Sequence, residues 1–173
     1  MRSGPFTRTP RTLLVLCLAA SALVLPTAGK ADDQPVLGTT LNVLGLAVSA
    51  PVALVNFAPG QTATGTGVVT IVSTGPWVLR TQDNGASATA GRMLRTTGSG
   101  GAAALAQPLH WSSAPTLGGT GATGNLSGSS AVAASGTLSD VVNVSYSQPI
   151  GASEQLVSGN VYQVTVTWTV SAT

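Results

Sequence analysis

His110 is the single histidine of this 173-residue chain, and Trp111, Ser112 and Ser113 follow it directly. An imidazole beside hydroxyls raises the question of acyl transfer, in which a base activates a serine and a carboxylate, here Asp83 or Asp140, orients the base. That chemistry also needs a nucleophile held on a framed turn next to an oxyanion site. No Gly-x-Ser-x-Gly elbow occurs anywhere in the chain. His110 therefore reads as a surface or edge-strand residue. Zinc asks for clustered cysteine and histidine, and the only cysteine, Cys17, lies in an apolar N-terminal run. Calcium asks for several converging oxygens, whereas the acids Asp32, Asp33, Asp83, Asp140 and Glu154 are scattered, and Asp83-Asn84-Gly85 reads as a turn. No catalytic residue, cofactor or metal is expected.

The aromatic residues offer a different chemistry. Trp77, Trp111, Trp168, Tyr146 and Tyr162 have faces that suit sugar rings, but buried indoles also fill β-sandwich cores. Trp77, Trp168 and Tyr162 are expected in the core. Trp111, beside His110 and near a polar loop, is expected to be the exposed one.

Strands must position these groups. From Tyr162 to Val170 the chain alternates, with Tyr162, Val164, Val166, Trp168 and Val170 on one face and Gln163, Thr165, Thr167 and Thr169 on the other. A period of two describes a strand with one buried and one wet side. Similar patterns run over 41–50 (apolar on both faces), 64–73, 77–81 and 141–146, with shorter strands expected at 52–57, 92–97 and 109–113. The Gly, Ser and Thr content of 98–101 and 118–130 predicts loops, and 102–106 is the one stretch that suits a short helix. About seven short strands separated by turn signals predict an all-β, immunoglobulin-like β-sandwich, with a small β-barrel as the alternative.

The N-terminus predicts export. Arg2, Arg8 and Arg11 precede an apolar run from Leu13 to Leu25, which Pro26 ends before small residues lead to Ala31. This is the pattern of a secretory signal peptide over 1–31, cleaved after Ala31 or, as second choice, after Gly29. The run is shorter than a membrane span requires. One domain over 32–173 would remain, with no cysteine and no transmembrane segment. Three arginines (Arg80, Arg92, Arg95) against five acids give it a net charge of −2. Nucleic-acid binding then lacks the phosphate-neutralising charge on which it is built.

Two segments carry a family resemblance. Gly75-Pro76-Trp77-Val78-Leu79 fits a Trp-x-Leu motif after a strand and a glycine, and Tyr162 to Val170, with Trp168 at its centre, is similar to a closing aliphatic-Thr-Trp-Thr-aliphatic run. Together they resemble the WxL domain of Gram-positive surface proteins, with Trp77, Leu79, Tyr162 and Trp168 as the motif positions. The chain departs from that pattern at Ile71-Val72-Ser73-Thr74, where an Asp-x-Arg-Gly type segment is usual, and at Val170 in place of leucine. The resemblance implies a secreted, non-enzymatic protein held non-covalently on the cell wall through peptidoglycan, often with partner surface proteins.

The leading expectation is a β-sandwich that binds wall polymer or a partner surface protein. A fimbria- or coat-like subunit that assembles through uncharged edge strands is the alternative, and a secreted hydrolase the third. Arg80, Arg92, Arg95 and Trp111 are the expected polymer contacts. Arg80 and the Arg92–Arg95 stretch flank the Asp83-Asn84-Gly85 turn, so a hairpin there would gather three guanidinium groups for an anionic polymer.

Overall fold

The clearest link from sequence to structure is the strand Asp140–Pro149, where every second residue points inward. Asp140, Val142, Val144, Tyr146 and Gln148 are buried, while Val141, Asn143 and Ser145 are exposed. In the computed structural model, which describes residues 43–86, 88–96 and 103–173, this strand is the centre of a five-stranded antiparallel sheet. Eleven strands are present among the described residues: β1 (Leu44–Val48), β2 (Thr62–Ser73), β3 (Trp77–Asp83), β4 (Leu94–Arg95), β5 (His110–Pro115), β6 (Thr120–Gly121), β7 (Thr123–Asn125), β8 (Ala131–Gly136), β9 (Asp140–Pro149), β10 (Tyr162–Gln163) and β11 (Val166–Ala172). One sheet has the order β1-β2-β9-β5-β7 and the other β11-β3-β8-β6, with β4 and β10 forming a small separate pair. All pairings are antiparallel.

The two larger sheets close over one core, and neither forms a barrel, so the molecule is an all-β sandwich. Val69 and Ile71 of β2, Val142, Val144 and Tyr146 of β9, and Trp111 of β5 meet Trp77 and Leu79 of β3, Ala133 and Ala134 of β8, and Trp168 of β11. Trp77 and Trp168 are only 1% and 8% exposed, as expected of core indoles. The Trp77 indole lies over Gly136, where a Cβ would come within 2.5 Å of Cζ2, and its Nε1 donates to the Leu138 carbonyl at 2.7 Å. Glycine at 136 is therefore a packing requirement. The register of β3 on β8 shifts between Leu79 and Arg80, so Leu79 faces Ala134 while Arg80 faces Val132. This bulge lets two successive residues, Ala133 and Ala134, both point into the core.

The segment between β1 and β2 closes one margin of the sandwich. Ser49 N–H donates to the Val68 carbonyl at 2.9 Å, and Val55 bridges Thr64. Between those ties the chain arches so that Val52 and Leu54 pack against the core. Gly65 and Gly67 make this possible, because a Cβ at Gly65 would meet Val52 Cγ1 at 2.7 Å. The expected strand at 52–57 is thus one bridge only: its apolar side chains serve as a plug.

Other expectations are corrected. Residues 103–106 form no helix, since Ala104 bridges Leu94 and Leu105 is buried. The stretch 118–130 is not one long loop: it supplies β6 and β7, and β8 follows it. The terminal strand is interrupted at 164–165, so β10 pairs with β4 while β11 pairs with β3. The turn at Asp83-Asn84-Gly85 closes no hairpin. Residues 1–31, with Cys17 and the expected signal peptide, and Asp32 and Asp33 lie outside the described residues, as do 97–102, which include the expected loop at 98–101. No helix among the described residues is long and apolar enough to cross a membrane.

Candidate functional site

The three described carboxylates are all occupied with backbone amides. Asp83 Oδ1 accepts from Gly85 N–H at 2.9 Å and Oδ2 from Gly91 N–H at 2.6 Å. Glu154 accepts from Ala106 N–H (2.6 Å) and Gly151 N–H (3.1 Å). Asp140 places four bonds on a single oxygen: Oδ1 accepts from Thr116 N–H (2.9 Å), Leu117 N–H (3.0 Å), Val141 N–H (2.7 Å) and the Thr116 hydroxyl (3.1 Å). Burial pushes the Asp140 carboxyl up, but these donors together outweigh it and hold the carboxyl below its ordinary value. Each acid is a staple for an irregular segment.

His110 stands apart from them. It lies at the start of β5, with Ser147 of β9 as its cross-strand partner. Asp140 is seven residues back along β9 from Ser147, roughly 23 Å at the rise of an extended strand. Asp83 is on β3, in the facing sheet. The residues that a Ser-His-Asp arrangement would recruit are not brought together. No group of three His, Cys, Asp or Glu side chains converges on a metal position among the described residues.

What surrounds His110 instead is a field of hydroxyls. Alternation places Thr62, Thr64 and Thr66 of β2, Ser145 and Ser147 of β9, Ser112 of β5, and Thr123 and Asn125 of β7 on the outer face of the five-stranded sheet. The registers align them into two rows across the strands: Thr64, Ser147, His110, Asn125, and next to it Thr66, Ser145, Ser112, Thr123. A concavity of about 830 Å³ is lined by this field and by residues 49–53 and Val55. Thr123 donates its hydroxyl to the Trp111 carbonyl at 3.0 Å. The hydroxyls of Thr64, Thr66, Ser112, Ser145 and Ser147 have no partner within the described chain.

Buried hydroxyls behave differently. Ser113, on the inner face of β5, accepts from Ala122 N–H at 3.0 Å and donates to the Ala133 carbonyl in the facing sheet. The outer-face hydroxyls of Thr64, Thr66, Ser112, Ser145 and Ser147 face solvent instead, and they are available to a ligand.

A second, apolar cleft of about 460 Å³ opens where the margins of the two sheets meet. Val52, Leu54, Met93, Tyr146, Tyr162 and Trp168 line it. The edge strands β1 and β11 lie side by side there. Burial raises the Tyr146 phenol above its ordinary value, with the Trp168 indole as a hydrogen-bonding neighbour that partly offsets the rise. Tyr162 is half-buried rather than a core residue, and its ring packs against Phe57 at a tilt of 36° with centroids 5.5 Å apart.

The expected polymer contacts are rearranged. Trp111 is only 3% exposed, because the phase of β5 turns it inward with Ser113 and leaves His110 and Ser112 outside. Arg80 is exposed at the centre of the outer face of the four-stranded sheet, Arg92 is exposed on an irregular segment, and Arg95 is half-buried on β4 opposite Tyr162. β3 pairs with β8 and β11, not with the Arg92–Arg95 stretch, so the expected hairpin of three arginines does not form. Three of the four motif positions meet in the core, and Tyr162, on β10, does not. β3 and β11 are adjacent, so Trp77, Leu79 and Trp168 all enter the core from neighbouring strands.

The fold and the site define an all-β sandwich with an uncharged, hydroxyl-lined outer face. Set against protein-family models, curated proteins and solved structures, the chain matches none of them.

Proposed function

We propose that this chain is an exported, non-enzymatic protein that associates with the cell wall by binding wall polymer through the outer face of its five-stranded sheet. The observation that carries the reading is the row of free hydroxyls Thr66, Ser145 and Ser112, extended by Thr64, Ser147 and His110 over a concavity. Such a surface offers many weak donors and acceptors spread over an area, which suits a polymer better than a single reacting bond. The commitment of Asp83, Asp140 and Glu154 to backbone amides supports binding over hydrolysis, since no described carboxylate is left facing His110.

The resemblance to the WxL domain supports the wall as the location. The arginines carry no part of this reading, and Arg80 and Arg92 are exposed side chains. The test is co-sedimentation of the purified chain with isolated Gram-positive cell walls. Retention in the pellet is expected; a chain that stays wholly in the supernatant at micromolar concentration would end the reading.

A second reading, assembly into a coat- or fimbria-like polymer, is favoured by one specific observation. Both β1 and β11 are sheet edges, lie side by side, and carry no charge, proline or bulge to block strand addition. Concentration-dependent size in light scattering separates it from the first.

A further inference from the structure

The outer face of the five-stranded sheet carries no charged side chain at all. Its outward positions are Gly45 and Ala47 on β1, Thr or Val at every second residue from Thr62 to Val72 on β2, and Val141, Asn143, Ser145 and Ser147 on β9. His110, Ser112 and Ala114 on β5 and Thr123 and Asn125 on β7 complete it. A face built to hold a phosphate, a carboxylate or a peptide with charged groups would place an arginine, lysine or acid on it, because such partners are recognised through charge-assisted bonds. The three described arginines all lie elsewhere.

We infer that the ligand of this face is an uncharged polysaccharide chain, lying across the strands along the Thr66–Ser145–Ser112–Thr123 row. The inference rests on the wall-binding reading above and names the part of the wall concerned: a neutral glycan, not an anionic polymer or a stem peptide. Neighbouring strands place successive hydroxyls about 4.8 Å apart, a repeat comparable with the length of one hexopyranose unit. A glycan along the row therefore meets about one protein hydroxyl per sugar, and the parallel row through Ser147 and His110, roughly 6.8 Å away, can reach its flanking hydroxyls. The methyl groups of Thr64 and Thr66 and the arch at 50–53 supply apolar contact for the C–H faces of the rings. The hydroxyls of Thr66, Ser145 and Ser112, which bind nothing within the described chain, lose only water when they bind sugar, while Thr123 keeps its bond to the Trp111 carbonyl and can still accept. With no ion pair in the contact, binding is insensitive to salt.

The experiment uses three insoluble probes, amorphous cellulose, chitin and polygalacturonate, with the purified chain at low salt and at about 1 M salt, where the Debye length is roughly 3 Å. Retention on at least one neutral probe, unchanged by salt, is expected. The double variant Ser112→Glu/Ser145→Glu should bind about tenfold or more weakly, while Val132→Glu, on the outer face of the other sheet, keeps wild-type retention. Tryptophan fluorescence checks that each variant is folded. Competition of wall binding by soluble neutral glucan needs no variant and is expected to succeed.

Retention on polygalacturonate alone, retention lost at high salt, or equal binding by the double variant and the wild type would overturn the inference. So would wall binding that neutral glucan fails to compete. In each of these cases wall association itself can persist, whereas a chain that never sediments with walls removes the broader reading instead.

Discussion

The outer faces of the two sheets follow the same alternation and put it to different uses. On the four-stranded sheet, polar side chains are tied to one another: Gln82 Nε2 donates to Asn84 Oδ1 at 2.6 Å, and Asn84 Nδ2 donates to Thr167 Oγ1 at 3.0 Å. Arg80 stands among them, with Val132 and Thr169 as its cross-strand neighbours. These ties lie at one end of that face, while Arg80, Thr169 and Thr120 along the rest of it are exposed to solvent. On the five-stranded sheet the polar side chains are shorter and uncharged, they are aligned by register into rows, and of the row hydroxyls Thr123 alone bonds within the described chain. Period two alone decides which residues point outward. The difference in function comes from which outward residues are short hydroxyls and from the strands that bring them together.

The largest expected effect tests whether the inside of this arrangement is right. Trp111→Ala and Trp168→Ala should each cost about 3–5 kcal/mol, as large aromatic truncations in cores do. Denaturant melts would read the loss. A Trp111→Ala cost below about 1 kcal/mol would put Trp111 on the surface and reverse the phase of β5, moving Ser112 inward and dissolving the hydroxyl row.

A middle effect concerns the staples. Asp140→Ala should cost about 1.5–3 kcal/mol, because it removes charge-assisted bonds to three backbone amides and a hydroxyl. The folded carboxyl lies below its ordinary value, which is about 3.9 in an unfolded chain. The stabilisation is therefore fully present above that unfolded value and is lost as pH falls through the lower folded one. Asp140→Asn keeps an acceptor oxygen but no charge, so its stability should be flatter with pH below about 4 than the wild type's. Parallel curves for the two would show that Asp140 is not held as described.

The smallest effect on stability is expected where the effect on binding is largest. Ser112→Ala and Ser145→Ala change solvent-facing hydroxyls with no internal partner, so thermal melts should move by no more than about 0.5 kcal/mol. On the opposite face, Asn84→Ala breaks two internal bonds and should cost about 1 kcal/mol. Equal costs at both places would mean the two faces are not built differently.

Much of the fold was legible because several strands carry strong contrast. Val142, Val144 and Tyr146, like Trp77 and Leu79, announce a buried side by size alone, and their partners follow. β8 was not legible, since Ala131-Val132-Ala133-Ala134-Ser135-Gly136 has little contrast between faces and contains a bulge that breaks the period. β6 and β7 are two and three residues of Gly, Thr and Asn, and exist only because β8 and β5 offer them an edge. Trp111 reads from sequence as exposed but is buried, because His110-Trp111-Ser112-Ser113 holds one large apolar residue among polar ones. Only the burial of Ser113, satisfied by Ala122 and Ala133, reveals the phase. The hydroxyl rows were half legible: Thr62-x-Thr64-x-Thr66 and Ser145-x-Ser147 can be read along the chain, but their alignment across β2, β9 and β5 is a matter of register.

The central claim is that the charge-free face, not the scattered arginines, holds the ligand. The most direct measurement is the binding isotherm of the purified chain on isolated cell walls from about 0.05 to 1 M salt, with Ser112→Glu/Ser145→Glu and Val132→Glu measured beside it. Affinity that is flat with salt, falls about tenfold in the double variant and is unmoved in Val132→Glu is the predicted result. Affinity that collapses with rising salt while the double variant matches the wild type would contradict it.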